Sequence, residues 1–288
     1  MNYRHHFHAG NFADVMKHAL LVSLIRALQK KEKGFFYLDT HAGQGRYDLS
    51  VAATGDSLAR KPEWPEGVGR LWRREAVPPA LAEYFGLVRD FDRRFGNRES
   101  VPRYYPGSPR LAQLLLRPQD RMAVCERQPT DCAALREELL FNTGVSVHEM
   151  DGYVAVRGML PPPERRALVL IDPPFESRDE VAQIARALDE GLRRFRSGVF
   201  AIWYPVTDRV RVDEFFAAVR ALRPPPTLTA ELAIAGDQAP IKMKGCGLVV
   251  INPPWQFDQS AGAVLSNLAS ELAQAPGGGG RVNWLVPE

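Results

Sequence analysis

The chain predicts an α/β protein built on one open, mostly parallel sheet, and three observations carry that prediction. Short apolar runs end abruptly in an acid at Phe35 to Leu38 before Asp39, at Met122 to Cys125 before Glu126, and at Leu168 to Ile171 before Asp172. Runs apolar on both faces are strands covered on both sides, as in parallel sheets. Stretches of helical period separate them, and one strand runs into Asp39-Thr40-His41-Ala42-Gly43-Gln44-Gly45, a glycine turn of the kind that cradles nucleotides. Open sheets bind ligands at the carboxyl ends of their strands, so the same acids mark a site.

Composition sets the bounds. The 288 residues are 45% hydrophobic and 25% charged, ordinary for a soluble globule of one large or two small domains. Net charge is +3, but 30 Arg stand against 7 Lys. That bias suits nucleic-acid binding, and a GC-rich genome would produce it equally well. Three cysteines without CxxC spacing imply neither a disulfide framework nor a zinc site and point to a reducing compartment. The N-terminus lacks a signal pattern and no apolar run approaches ~18 residues, so a cytoplasmic protein without a membrane partner is expected. Only Gly277 to Gly280 is low in complexity.

In chain order, the start (Tyr3-Arg4-His5-His6-Phe7-His8) carries Tyr, Arg and His side chains that stack on exposed bases. No acid or i,i+4 His pair accompanies them, so an arm over a ligand or an RNA surface is expected in preference to a metal site. Asn11 caps a helix whose third residue is Asp14, and Lys17 and His18 lie near its start. After the first strand comes Gly43-x-Gly45, with Asp48 where a dinucleotide fingerprint would place a third glycine. A pyrophosphate-binding dehydrogenase is therefore disfavoured, and the looser glycine pattern of S-adenosylmethionine (SAM) enzymes is met.

The second strand arrives late, at Met122, so residues 49–102 read as an inserted helical subdomain between the two parts of the main domain, 1–48 and 103–288. A helix from about Pro79 to Phe95 carries Arg89, Arg93 and Arg94, a candidate RNA contact or simply a solvated face. Ser108 is placed to cap a helix with Pro109 at its first position. Glu126, ending the second strand, can accept both ribose hydroxyls of a nucleoside cofactor. Asp151-Gly152 ends the third strand beside the expected cofactor base, and Asp172 ends the fourth next to Gly43 across the switch point.

Asp172-Pro173-Pro174-Phe175 carries the chemistry. The prolines fix a rigid turn that aims an acid and a carbonyl one way, and an aromatic face follows. Those groups suit an exocyclic amine such as adenine N6, whose two N–H donors need acceptors and whose lone pair is delocalised into the ring. The tetrapeptide is the (Asp/Asn/Ser)-Pro-Pro-(Tyr/Phe/Trp) signature of amino-methyltransferases. Asn252-Pro253-Pro254-Trp255 fits the same pattern. In the Rossmann-like methyltransferase fold, a mostly parallel seven-stranded sheet, the last strand is antiparallel. Asn252 then emerges at the edge away from the cofactor and is structural.

Taken together, these motifs resemble the bacterial 23S ribosomal RNA adenine-N6 methyltransferases of the RlmJ type. The likeness spans essentially the whole chain, through Tyr3 to His18, Leu38 to Tyr47, Tyr104 to Pro109, Leu170 to Pro174, Trp203-Tyr204-Pro205 and Ile251 to Trp255. It implies SAM-dependent methylation of one adenine in 23S RNA. SAM contacts would fall on His18, His41, Ser108, Glu126, Asp151, Gly152 and Asp172, beside the glycine turn of Gly43 and Gly45. Asp172 with Pro173 and Phe175 would hold the base, and Tyr3 would touch the RNA, with Arg4, His5 and Lys17 completing the RNA side. Relatives can carry Tyr where this chain has Phe175, so stacking survives there without a phenol hydrogen bond. The partner expected is 23S RNA, naked or in an early precursor particle, with a monomeric enzyme and no metal. DNA adenine or protein glutamine amide methylation, or an RNA-binding assembly factor with a residual SAM pocket, remain open alternatives.

Overall fold

The computed structural model describes residues 5–51, 61–140, 143–177 and 179–288. Tyr3 and Arg4 lie outside them, and so does the side chain of His5. The strands are β1 (Phe36–Asp39), β2 (Arg46–Asp48), β3 (Tyr104–Pro106), β4 (Arg121–Glu126), β5 (Val145–Glu149), β6 (Ala167–Ile171), β7 (Val199–Val206), β8 (Thr227–Ala233), β9 (Gly245–Ile251) and β10 (Gly279–Val286). Eight of them form one sheet in the order β10-β8-β9-β7-β6-β1-β4-β5. The central strands pair in parallel, β1 with both β4 and β6, β4 with β5, and β6 with β7. β9 runs antiparallel to its neighbours β7 and β8.

Seven sheet strands were expected, and the described residues form eight. The additional one, β10, pairs antiparallel with β8 at the sheet edge. Its sequence opens on glycines and is largely exposed, so neither β-propensity nor alternation marks it as a strand.

The apolar runs behave as two-sided strands because alternate side chains enter opposite layers. Tyr37, Val124, Leu168 and Leu170 join a cluster with α2 (Phe12–Gln29), α4 (Pro79–Arg94), α5 (Ser108–Leu115) and α10 (Phe257–Leu272). Phe36, Leu38, Val169 and Ile171 join a second cluster with α7 (Gly152–Met159), α8 (Glu180–Arg194) and α9 (Arg209–Ala221). A single turn, α1 (His5–His8), precedes α2, which is buried over most of its circumference because its sequence is apolar nearly all round. α8 is amphipathic, burying Ile184, Leu188, Gly191 and Leu192 at helical spacing.

Between β1 and β4 the chain makes a detour closed at its neck by the antiparallel pair of β2 with β3. The detour carries α3 (Val68–Trp72) and α4, and the buried face of α4 (Leu81, Tyr84, Phe85, Val88) belongs to the same cluster as α2. Among the described helices none is long and apolar enough to cross a membrane.

The second Pro-Pro tetrapeptide lies at the opposite edge, as the reversed β9 requires. The Asn252 amide donates to the Arg196 and Gly198 carbonyls, each at 2.8 Å, and the residue sits at φ 51°, in a left-handed region that asparagine tolerates. Trp255 points to solvent, 76% exposed. Asn252 thus joins the turn before β7 to the end of β9.

Candidate active site

Strand order places the crevice. The connection from β1 leads to β4 on one side, and β6 lies on the other, so β1 is the switch point. Parallel register brings Asp39 beside Val124 and Leu170, and Glu126 beside Glu149. The acids Asp39, Glu126, Asp151 and Asp172 therefore stand along one edge. Gly43 and Gly45 turn the chain above it at φ 60° and 79°. The Gly43 amide donates to one Glu126 carboxylate oxygen at 2.9 Å and the Gln128 amide to the other at 2.8 Å. Burial pushes the Glu126 carboxyl up, and these backbone donors oppose the shift. The Arg127 amide is a third such donor, which leaves one of the carboxylate's four acceptor positions open to a ribose hydroxyl. Gly45 packs against α6 (Pro129–Glu138), where a Cβ would come within 2.9 Å of Leu135.

Asp151 caps α7 by accepting from the Tyr153 amide at 2.9 Å. Gly152 lets that helix start press on β1: a Cβ there would fall 1.9 Å from the Thr40 carbonyl oxygen. The Tyr153 hydroxyl donates to Glu180 at 2.6 Å, tying the Asp151 turn to the helix that follows Asp172. His41 lies edge-on to Tyr153 at 5.0 Å between centroids, its Nδ1 2.7 Å from the Thr40 hydroxyl. Replacing Tyr153 with Phe leaves a carboxylate at 6% exposure short of its donor. A loss of about 1–3 kcal/mol of stability is expected in urea unfolding; a loss below a few tenths would mean the bond contributes nothing.

On the other side of β1, Asp39 accepts from the Tyr37 hydroxyl at 2.8 Å and is also hydrogen-bonded by Ser108. Ser108 was expected to cap α5. It is instead the first residue of that helix, behind a Gly107 cap, and makes no capping bond. With Pro109 next in line the helix start is set by the proline, which frees the serine hydroxyl to meet the strand-end acid. Burial pushes Asp39 up to about 6, with Asp172 adding to the shift.

α2 supplies the remaining groups. Asn11 caps it as expected, accepting from the Asp14 amide at 2.9 Å. Asp14 also accepts from the Gly10 amide at 3.0 Å and from the Lys17 ammonium at 2.8 Å. Burial alone would raise the Asp14 carboxyl; Lys17 and the hydrogen bonds outweigh it and hold the group at about 2. The same ammonium reaches Asp172 at 2.5 Å. Lys17, expected on the RNA side, is therefore 8% exposed and paired with the catalytic candidate. His18 Nδ1 lies 2.7 Å from the Tyr105 hydroxyl, which lies 3.0 Å from that of Tyr84.

Both site histidines are neutral in the fold, burial depressing His18 to about 3 and His41 to about 4. Below pH 6.5 the unfolded chain protonates both imidazoles while the folded protein does not, so stability present above 6.5 is lost as the pH falls. Asp39 acts the other way, because the folded carboxyl takes its proton near 6 and the unfolded one only near 3.8. From these three groups the unfolded state carries one extra proton between pH 6 and 4, a slope of about 1.4 kcal/mol per pH unit. Urea unfolding from pH 7 to 4.5 should show it, steepening toward two protons in Asp39→Asn. A slope no steeper in Asp39→Asn than in wild type would contradict the raised Asp39 carboxyl.

The tetrapeptide turn completes the site. Phe175 adopts φ 50°, outside the usual range for an aromatic residue, and its ring packs edge-on to Trp203 at 5.8 Å and Phe215 at 6.4 Å. Of the residues expected to meet SAM, Gly43 and Glu126 share a hydrogen bond, Asp151 and Gly152 start α7 against the end of β1, His41 packs on Tyr153, Ser108 meets Asp39, and Asp172 meets Lys17 of α2, the helix that carries His18. Sequence reasoning did not single out Asp14 as a site group, nor Tyr105, nor the Tyr153–Glu180 bond. Asp14 and Lys17 are one helical turn apart, a spacing that marks them as partners; no local signal foretells the other two.

The donor set fits SAM. Glu126 suits its ribose, the Asp151–Gly152 helix start its adenine, and His18, His41 and Asp39 with Ser108 border the crevice between them. Among the described residues no group of three or more His, Cys, Asp or Glu is placed to hold a metal ion.

Comparison with known proteins places this architecture. The family model described as ribosomal RNA large subunit methyltransferase D, RlmJ, matches residues 32–286. Two proteins named ribosomal RNA large subunit methyltransferase J align over the full length of both chains, that of Escherichia coli at 40% identity and that of Haemophilus influenzae at 41%. A crystal structure of a Legionella pneumophila protein superposes with a TM-score of 0.85 at 36% identity, covering 96% of this chain and 98% of that one. With the crevice, the catalytic turn and these full-length matches in agreement, the chain belongs to the RlmJ family of ribosomal RNA large subunit methyltransferases.

Proposed function

We propose that the protein transfers a methyl group from SAM to N6 of one adenine in 23S ribosomal RNA, in the cytoplasm. The observation that carries this reading is the position of Asp172: a partly buried acid held by Lys17, opening an Asp-Pro-Pro-Phe turn, at the switch point beside the glycine turn. Bound SAM supplies an electrophilic methyl group, and the chain's own residues do the rest.

The target adenine leaves its stack at a cost of a few kcal/mol, least in single-stranded RNA, and enters against Phe175. Asp172 and the Pro173 carbonyl accept the two N6 hydrogens, which fixes the amine and draws its lone pair out of conjugation. Positioning of this kind is a large part of what a site can contribute when no charge must be created on the protein. Lys17 keeps the carboxylate in place. In this reading Tyr3, Arg4 and His5 contact the RNA substrate.

The reading is tested by transfer of labelled methyl from SAM to deproteinised 23S RNA, 16S RNA and duplex DNA, with nucleoside analysis. N6-methyladenosine in 23S RNA alone is expected. Label in DNA or in protein amide would replace the substrate assignment, and SAM binding with no transfer to any of the three would point to an assembled precursor particle or to a binding factor.

A further inference from the structure

The exposed face of α4 carries a feature that the catalytic crevice does not use. A cleft of about 370 Å³ is lined by Trp72, Arg89, Arg93, Asn97 and Arg98, with Asp92, Glu99 and Ser100. Three arginines thus line one concavity. The acids within it do not cancel them. Asp92 is 2% exposed and turned inward, accepting from the Asn97 amide at 2.6 Å and from the backbone of Arg103 and Tyr104 at 3.1 and 2.7 Å. Arg93 meets Asp90 only at 3.7 Å, both side chains about two-thirds exposed, a pairing worth little in water. Of the lining residues that leaves Glu99 as the exposed carboxylate, against three arginines.

Two of the arginines, Arg89 and Arg98, are also held in place. Arg89 stacks over Phe85 at 4.5 Å and Trp72 at 5.5 Å and donates to the Trp72 carbonyl at 3.3 Å. Arg98 donates to the Arg93 carbonyl at 3.1 Å, closing the turn after the helix. Preorganised guanidinium forks match phosphate oxygens, and little side-chain entropy remains to be lost on binding.

α4 links this cleft to the catalytic crevice. Tyr84, on its buried face, is hydrogen-bonded through Tyr105 to His18. Arg93 is nine residues further on, about 13 Å along the axis, and at 100° per residue it faces the opposite side. The helix is rigidly seated at one end of that span and presents positive charge at the other.

We propose that the Arg89–Arg93–Arg98 cleft binds backbone phosphates of the RNA substrate outside the segment that enters the crevice, fixing the register of the target adenine. This rests on the reading of the protein as an RNA methyltransferase. The contact is sequence-independent and acts on affinity, whereas the chemical step belongs to Asp172.

The double variant R93A/R98A tests it, because both side chains are exposed and neither belongs to the crevice. With deproteinised 23S RNA, KM should rise about tenfold with kcat unchanged. The slope of log K against log salt for RNA binding should become shallower by about one to two, as expected for one or two lost phosphate contacts. R93K/R98K should restore the salt slope, because the charge is kept, and only part of the affinity, because the fork is lost. SAM affinity and melting temperature at wild-type values establish that the fold is intact. An unaltered KM and salt slope in R93A/R98A would overturn the proposal. RNA binding is measured without SAM, so a wild type that binds 23S RNA through this cleft yet methylates neither it nor an assembled precursor particle would sink the functional reading and leave the cleft assignment standing.

Discussion

Asp172→Ala is expected to reduce methyl transfer by at least about a thousandfold while leaving SAM binding within a fewfold of wild type. Removing the carboxylate takes away an acceptor for the target amine and its alignment, losses of the size seen when positioned polar groups are deleted from active sites. It also strands the Lys17 ammonium, which is 10% exposed and would keep only Asp14 of its two carboxylate partners. Breaking a buried pair outright costs about 3–5 kcal/mol, and the surviving partner should hold the loss below that. Asp172→Asn separates the two effects. It retains an oxygen acceptor and the size of the side chain, so it should fold better than Asp172→Ala and still be slow, because the amide also presents N–H groups to the amine. Single-turnover transfer, SAM titration and urea unfolding on the three proteins make the comparison. Turnover near wild type in Asp172→Ala would remove this residue from the chemistry.

Gly152→Ala is expected to weaken SAM binding by about a hundredfold, about 2.7 kcal/mol, with a comparable loss of stability. The new Cβ would lie 1.9 Å from the Thr40 oxygen and 2.6 Å from its carbonyl carbon. Both are main-chain atoms at the end of β1, so no side chain can rotate away, and either α7 or the strand end must move. Overpacking that displaces backbone costs about 1–3 kcal/mol or more. The displacement falls on the turn that holds Asp151, His41 and the Tyr153–Glu180 bond, which is why the cofactor should register it. Calorimetric titration with SAM and thermal melting provide the two readouts. Unchanged affinity would mean that the start of α7 does not border the cofactor.

What the sequence disclosed followed the range of the interactions involved. The strand-end acids were legible because an apolar run broken by an acid is a local pattern. The Asn11 cap was legible because both partners lie within four residues. Strand order then decided between two look-alike tetrapeptides, Asp172-Pro173-Pro174-Phe175 and Asn252-Pro253-Pro254-Trp255, since a reversed β9 carries the second to the far edge. The Lys17–Asp172 pair spans 155 positions and Tyr153–Glu180 spans 27, and neither has a signature until the sheet is assembled. Ser108 misled because a serine before a proline reads as a cap, and only the fold shows that Gly107 already fills that role. β10 escaped notice because an edge strand with one neighbour needs little hydrophobic patterning.

The row His18, Tyr105, Tyr84 has one further consequence. His18 is neutral, so one ring nitrogen carries a proton and the other accepts. If the Tyr105 hydroxyl donates to Nδ1, Tyr84 must donate to Tyr105, and Nε2 carries the proton. If Nδ1 carries it, Tyr105 donates to Tyr84 and Nε2 accepts. The three groups can therefore reverse polarity only as a unit. A ligand group that presents an acceptor to Nε2 sets one direction and a donor sets the other. The hydroxyl of Tyr84, on the inserted helix, thus reports the hydrogen-bonding character of whatever meets His18, with no atom heavier than hydrogen having to move.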